Sequence, residues 1–235
     1  CREARGHEMI AGGIAAVQIG PIRPLGPKAV PSAIVKTPVA GPVAVGPLGL
    51  AGDAQGDPQR HGGVDKAVHV YPMAHYAVWA LDLPAQANRF TPGAFGENIV
   101  LDGWTEADVC IGDLFRLGSA LVELSQARQP CWKLNLRFGL PDMARRVQDS
   151  GRTGWYLRVL VPGSVAAGDR MTLTARPNPG WDLARVQRLL YRDAVDREAL
   201  AEFAGLAGLS ASWRALAMRR LESGAFEDWA PRLSG

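Results

Sequence analysis

The chain has 235 residues, is 47% apolar and carries a net charge of +3, with 27 glycines and 17 prolines. That length suits one large globular domain or a domain with a small appendage. A charge this small, with its basic residues scattered, argues against a nucleic-acid partner, and no apolar run approaches the roughly 18 residues of a membrane span.

Residues 1–8 are polar, lack the apolar core of a secretion signal and precede Met9, which reads as an alternative start or as following residual upstream sequence, so residues 1–12 are expected to be disordered or non-native and to lie outside the fold. From Gly13 onward the chain reads as short β-rich runs bounded by Gly, Pro and Asp: 14–19, 32–37, 67–71, 98–101, 114–117, 121–125, 155–161 and 171–174. Two helices are predicted among them. One starts at Pro72 and carries Tyr76, Val78, Trp79 and Leu83; the other starts near Pro141 and Asp142 and carries Met143 and Val147. Many short strands with few helices predict an α+β fold, mainly β, with a barrel-like domain over residues 13–176.

Arg176-Pro177-Asn178-Pro179-Gly180 reads as a boundary, because prolines around an Asn continue neither a ladder nor a helix. Residues 177–235 hold eight Arg against eight Asp and Glu, no Lys, and apolar residues at helical spacing. Leu183, Val186, Leu189 and Leu190 share one face, Leu200, Phe203 and Leu206 another, and Trp213, Leu216, Met218 and Leu221 mark a third segment capped by Ser210. This predicts a small C-terminal three-helix domain. With no Cys or His to offer, the tail is expected to stay out of the catalytic pocket and to serve as a docking element.

The residues with chemistry cluster in four places. Pro47 to Ala67 is an aliphatic run giving way to glycines, acids, His61 and Lys66, a loop in which Gly62 and Gly63 let the backbone approach something closely. Pro92 to Asn98 is a glycine-bounded turn that sets Glu97 and Asn98 before an apolar strand. Cys131 follows a strand and a proline, with Arg128 and Lys133 adding positive field that favours its thiolate, so it is a nucleophile, a soft metal ligand or a small core residue. Cys110, in an apolar run, reads as a packed thiol. Three cysteines (Cys1, Cys110, Cys131) without paired spacing argue against a disulfide framework and fit a reducing cytoplasm. The spacings of His61, His69 and His75 fit no standard zinc pair, and no local signature joins Cys131 to His61 as a hydrolase pair.

Gly49-Leu50-Ala51-Gly52-Asp53, Arg60-His61-Gly62-Gly63, Asp65-Lys66-Ala67, Phe95-Gly96-Glu97-Asn98, Ile111-Gly112-Asp113 and Pro130-Cys131 occur in the order and rough spacing of the MOSC domain, which the chain resembles from about Gly13 to its end. Ala207-Gly208-Leu209-Ser210-Ala211-Ser212-Trp213 looks like the three-helix module of the hydroxylaminopurine-resistance subgroup. The resemblance implies a molybdenum cofactor, molybdopterin, with Cys131 as catalytic residue and molybdenum ligand. It further implies that Arg60, His61, Gly62, Gly63, Lys66 and Arg128 hold its phosphate, that Lys133 is a further cofactor-binding residue, and that Asp65, Glu97 and Asn98 bond the pterin edge or orient the cations. The implied substrate is an N-hydroxylated small molecule reduced to its amine. No dinucleotide or flavin fingerprint occurs, so a separate flavoprotein or iron-sulfur reductase is the expected electron donor, and a homodimer stays open. The alternative is a non-catalytic carrier of sulfur or cofactor that uses the Cys131 thiolate.

Overall fold

A computed structural model describes residues 11–193 and 196–234, apart from the side chains of Gln59 and Arg60. Along the chain come β1 (Ala11–Ile19), β2 (Arg23–Leu25), β3 (Val30–Ser32), β4 (Thr37–Pro38), β5 (Val43–Gly46), β6 (Gly49–Leu50), the short α1 (Pro58–His61) and a 3-10 turn at Val64–Lys66. Next are β7 (Val68–Pro72), α2 (Ala74–Asp82), β8 (Ile99–Asp102), β9 (Leu114–Leu117), β10 (Ala120–Ala127), α3 (Lys133–Phe138) and α4 (Met143–Ser150). β11 (Trp155–Val161), β12 (Gly163–Val165) and β13 (Arg170–Ala175) complete the β region, followed by α5 (Leu183–Tyr191), α6 (Arg197–Gly205), α7 (Ala211–Ser223) and α8 (Ala230–Ser234).

The strand order β13-β9-β10-β11-β7-β8-β1 closes on itself through the antiparallel β1–β13 pairing, giving a seven-strand barrel. Closure pairs the edges of the sheet. β7 and β8 are parallel, and α2 supplies the crossover that a parallel pair requires. Register shifts at Ile14/Ala16, Leu124/Gln126 and Leu173/Ala175 bend strands around the barrel. Early in β10 buried and half-buried residues alternate; its last four, Leu124–Ala127, are buried on both faces because the C-terminal helices cover them. Ser210, just before α7, donates its N–H to Ser125 O at 2.9 Å.

One continuous core joins barrel and tail: Phe115, Leu124 and Trp155 belong to the same buried cluster as Trp181, Leu183, Phe203 and Trp213. A second cluster packs Tyr71, Trp79, Phe95, Phe138 and Met143 beneath α2, α3 and α4, and Leu233 of α8 plugs into it. The α+β fold with a helical C-terminal domain is as expected. α5, α6 and α7 each start on a side-chain cap: Asp182 accepts from Arg185 N at 2.9 Å, Asp196 from Ala199 N at 3.0 Å and Ser210 from Trp213 N at 3.3 Å.

Several expectations need correcting. β1 starts at Ala11, whose pairing with Thr172 brings residues 11 and 12 into the barrel; residues 1–10 lie outside those described. The predicted strand over 32–37 is split between β3 and β4, because residues 33–36 leave the ladder and Lys36 turns in to meet Asp53. α3 and α8 were unforeseen, and α1 and a 3-10 turn occupy the loop before Ala67. Val78 and Met218, counted among the apolar residues that mark their helices, are 41% and 46% exposed. Nor does the proline break separate two bodies. Arg176 binds Asp113 at 2.7 Å, and Asn178 donates to Ile111 O at 2.8 Å and Ala207 O at 2.9 Å, so the connection is itself stitched down.

Candidate functional site

Cys131 sits where three elements meet. β10 ends at Ala127, Arg128 N bonds Gly154 O at 3.0 Å, and the chain turns through Pro130 into α3, with Leu134 N returning to Cys131 O at 2.9 Å. Opposite lies α1. His61 N takes Asp57 O at 2.8 Å, and the imidazole Nε2 stands 3.7 Å from Cys131 Sγ. Gly62 is required here, since a Cβ would come within 2.7 Å of Gln55 Oε1 and 2.8 Å of Pro58 O, and Gly63 has φ 94°. The turn that follows brings Lys66 to the same cavity wall.

Two adjoining cavities share Cys131, His61, Lys66, Lys133 and Tyr156. The inner recess, about 90 Å³, is lined also by Lys36, Asp53, His69, Asn98 and Arg128. The outer cleft, about 990 Å³, adds Gln126, Gln129, Trp132, Asp228, Trp229 and Arg232. The thiol therefore stands at the junction, in a residue only 8% exposed.

The recess is lined by several cations. Burial, then the charges of Arg128, Lys133 and Lys66, pushes the His61 imidazole down to about 4, so it is neutral at pH 7. His69 goes down to about 3 for the same leading reason, burial, with Arg128 next. Burial also lowers Lys66 and Lys36; in Lys36 the ion pair with Asp53 at 2.5 Å opposes the shift. Asp53 is thoroughly used: beside Lys36 it accepts from Gly20 N at 2.9 Å and Asn98 Nδ2 at 2.8 Å. Buried donors are left over around the thiol. Arg128 Nη1 and Arg232 Nε have no acceptor among the described residues.

Of the residues singled out in the sequence, Cys131, His61, Lys66, Asn98, Arg128 and Lys133 line the recess. Lys133 also donates to Pro31 O at 3.0 Å, which anchors the wall. Asn98 acts through its neighbours, with Oδ1 taking His69 N at 3.0 Å. Gly62 and Gly63 shape the turn, and the Arg60 side chain lies outside the described residues.

Asp65 and Glu97 are not brought to the cavities. Asp65 Oδ1 receives Arg158 Nε at 2.9 Å and Nη2 at 2.7 Å, while Oδ2 receives Ala211 N at 3.0 Å, so it ties the α7 N-terminus to the barrel. Glu97, fully buried, accepts from Gly93 N at 2.5 Å, Phe95 N at 2.9 Å and the Tyr76 hydroxyl, and burial raises its pKa. It holds its own turn. His75 bonds Glu106 at 2.7 Å, and no group of three metal-type ligands occurs among the described residues. Cys110 is fully buried, its N–H on Asp113 at 2.8 Å and its thiol pushed up to about 11, first by burial.

Sequence reasoning missed the Lys36–Asp53 pair, His69, Tyr156 and the tail residues of the cleft. Asp53 stands in a quoted motif, and Lys36 at the end of Ile34-Val35 was a signal, since a lysine in an apolar run needs a counter-charge. The tail's expected exclusion from the pocket is overturned, because Asp228, Trp229, Pro231 and Arg232 form one side of the outer cleft.

A closed barrel with a thiol at a cationic junction and a helical appendage defines the class, and the profile of the MOSC domain matches residues 57–172. The YiiM-like 3-alpha helix domain matches residues 181–224. Protein YiiM of Escherichia coli (strain K12) is 40% identical over 209 residues, 89% of this chain and 93% of that protein. The crystal structure of YiiM from Escherichia coli superposes with a TM-score of 0.79 at 36% identity, covering 92% of this chain and all (100%) of that one. A protein of Gibberella moniliformis (strain M3125 / FGSC 7600) named Reductase is 40% identical over 172 residues, 73% of this chain and 30% of that protein. The chain belongs to the YiiM-like family of MOSC-domain proteins. No helix among the described residues is long and apolar enough to cross a membrane.

Proposed function

We propose that the protein binds a molybdenum cofactor through Cys131 Sγ and reduces N-hydroxylated small molecules to amines, with electrons from a separate reductase. The carrying observation is the thiol at the junction of recess and cleft, ringed by Lys66, Arg128 and Lys133 with His61 held neutral. The residues suit such a group. A thiolate is a soft ligand, and the leftover donors Arg128 Nη1 and Arg232 Nε call for acceptors that a phosphorylated pterin carries. When bound, the group supplies two-electron removal of a hydroxyl oxygen from nitrogen, with two protons, to leave amine and water.

The chain's own residues hold and orient. Lys66, Arg128 and Lys133 offer charge-assisted bonds to an anion in the recess. His61, neutral at pH 7, stands at the thiol without adding a positive charge. The outer cleft leaves room beyond the thiol for a substrate of modest size. Relatedness to a protein named Reductase supports the redox reading.

The 3.7 Å contact between Cys131 and His61 favours a second reading, a carrier of sulfur or cofactor that works through the thiol alone. Protein made in a cofactor-competent host separates the two. Molybdenum and pterin near one per chain, lost in a folded Cys131→Ser variant, together with turnover of an N-hydroxylated base, are the expected results. Equal molybdenum in parent and variant would remove Cys131 as the ligand, and loading without turnover would favour the carrier.

A further inference from the structure

We infer that the last turn of the chain, Trp229–Leu233, is a working part of the site, with Arg232 the positioning residue that fixes the Cys131 turn. This rests on the reading that Cys131 is the site's reactive residue, but not on which group its sulfur holds. Neither family match reaches these residues, since the helical match ends at 224.

The main-chain groups flanking Cys131 are held from one residue. Arg232 Nη1 donates to Pro130 O, and Arg232 O accepts Trp132 N at 2.8 Å. The same guanidinium reaches α4 through Nη2 to Gln148 Oε1, and it lies 4.8 Å from the Trp229 ring centroid. The segment is anchored at its far side as well: Leu233 is 2% exposed in the second core cluster, and its carbonyl takes Asn135 Nδ2 at 2.8 Å. A peptide turn between Ala127 and α3 has few partners of its own. With its two flanking peptide groups tied to one residue of a core-anchored segment, the thiol is held at the boundary between recess and cleft. Trp229 and Pro231 form the adjacent wall, so the segment both places the sulfur and limits approach to it.

The test uses full-length protein made in a host without the cofactor, so that the thiol is free. Alkylation by iodoacetamide at fixed pH is followed by mass mapping of the Cys131 and Cys110 peptides. Cys110, fully buried in the shared core, reports global opening. Arg232→Ala is expected to speed Cys131 alkylation at least about tenfold, the low end for losing a charge-assisted bond that keeps a turn closed, with Cys110 still protected. Arg232→Lys gives a smaller but measurable increase, since one ammonium cannot reproduce the fork to Pro130 and Gln148. An unchanged Cys131 rate in both variants overturns the proposal, and so does a parallel rise at Cys110, which would make Arg232 a contributor to global stability only. Failure of molybdenum loading in the parent leaves these rates untouched, so the two readings fail separately.

Discussion

Asp53→Ala is the perturbation whose cost can be worked most directly from the structure. Lys36 and Asp53 are 2.5 Å apart with side chains 6% and 5% exposed, so removing the carboxylate strands an ammonium in a nearly dry recess. It also strips acceptors from Gly20 N and Asn98 Nδ2. Breaking a buried pair from one side costs about 3–5 kcal/mol, or about 6–20 °C in Tm for a chain of this size. Burial already lowers Lys36, and loss of Asp53 lowers it further. Between that folded pKa and its unfolded value the unfolded chain holds the proton and the folded one does not, so stability rises with pH there. The deficit relative to the parent therefore shrinks at pH 10. Thermal melts of parent, Asp53→Ala and Asp53→Ala/Lys36→Met at pH 7 and pH 10 check this, with the double variant recovering much of the loss because no unpaired charge remains. A single variant melting within 2 °C of the parent (about 1 kcal/mol or less), or a double variant worse than the single, would refute the assignment of a buried charged pair.

Acid should destabilise the fold from an early pH. His61 and His69 lie at about 4 and about 3 when folded against 6.5 unfolded, so below 6.5 the unfolded chain binds more protons and stability falls, by up to about 1.4 kcal/mol per pH unit for each group. Urea midpoints at pH 7.5, 6 and 5 measure the slope; His69→Gln should flatten it, and an unchanged slope rules out His69 as the source. Deleting residues 180–235 should give aggregated protein, because Trp181, Leu183, Phe203 and Trp213 leave a core they share with Phe115 and Trp155. A soluble, cooperatively melting fragment in size exclusion and calorimetry would show the barrel to be self-sufficient.

The strands and the thiol site were legible where the signal is local. Leu114–Leu117 and Trp155–Val161 are bounded by glycine or turn residues and matched within their limits, and Cys131 declared itself by a preceding proline and flanking cations. Glu97 shows where local reading misleads. An acid beside two glycines looks available to a ligand, yet it is consumed by Gly93 N and Phe95 N, four and two residues back. Lys36 and Asp53 are 17 positions apart, and Arg232 and Pro130 are 102, separations over which no periodicity or motif carries information. Those contacts exist because the barrel closes and the tail folds over it.

That route of the tail bears on how its helices relate to the site. Some of the contacts from the C-terminal region fall next to the site: Asp65, next to Lys66, receives Ala211 N, and the span from Ser125 to Trp132 receives Ser210 N, Ser212 Oγ and Arg232. Those stretches carry Lys66 at one cavity wall and Cys131 at the junction. A shift of the α7 N-terminus would therefore be felt first at Asp65 and Gln126 rather than dissipated in a linker, since Arg176 and Asn178 pin the connection at its other end. The same helices that complete the core also frame the chemistry.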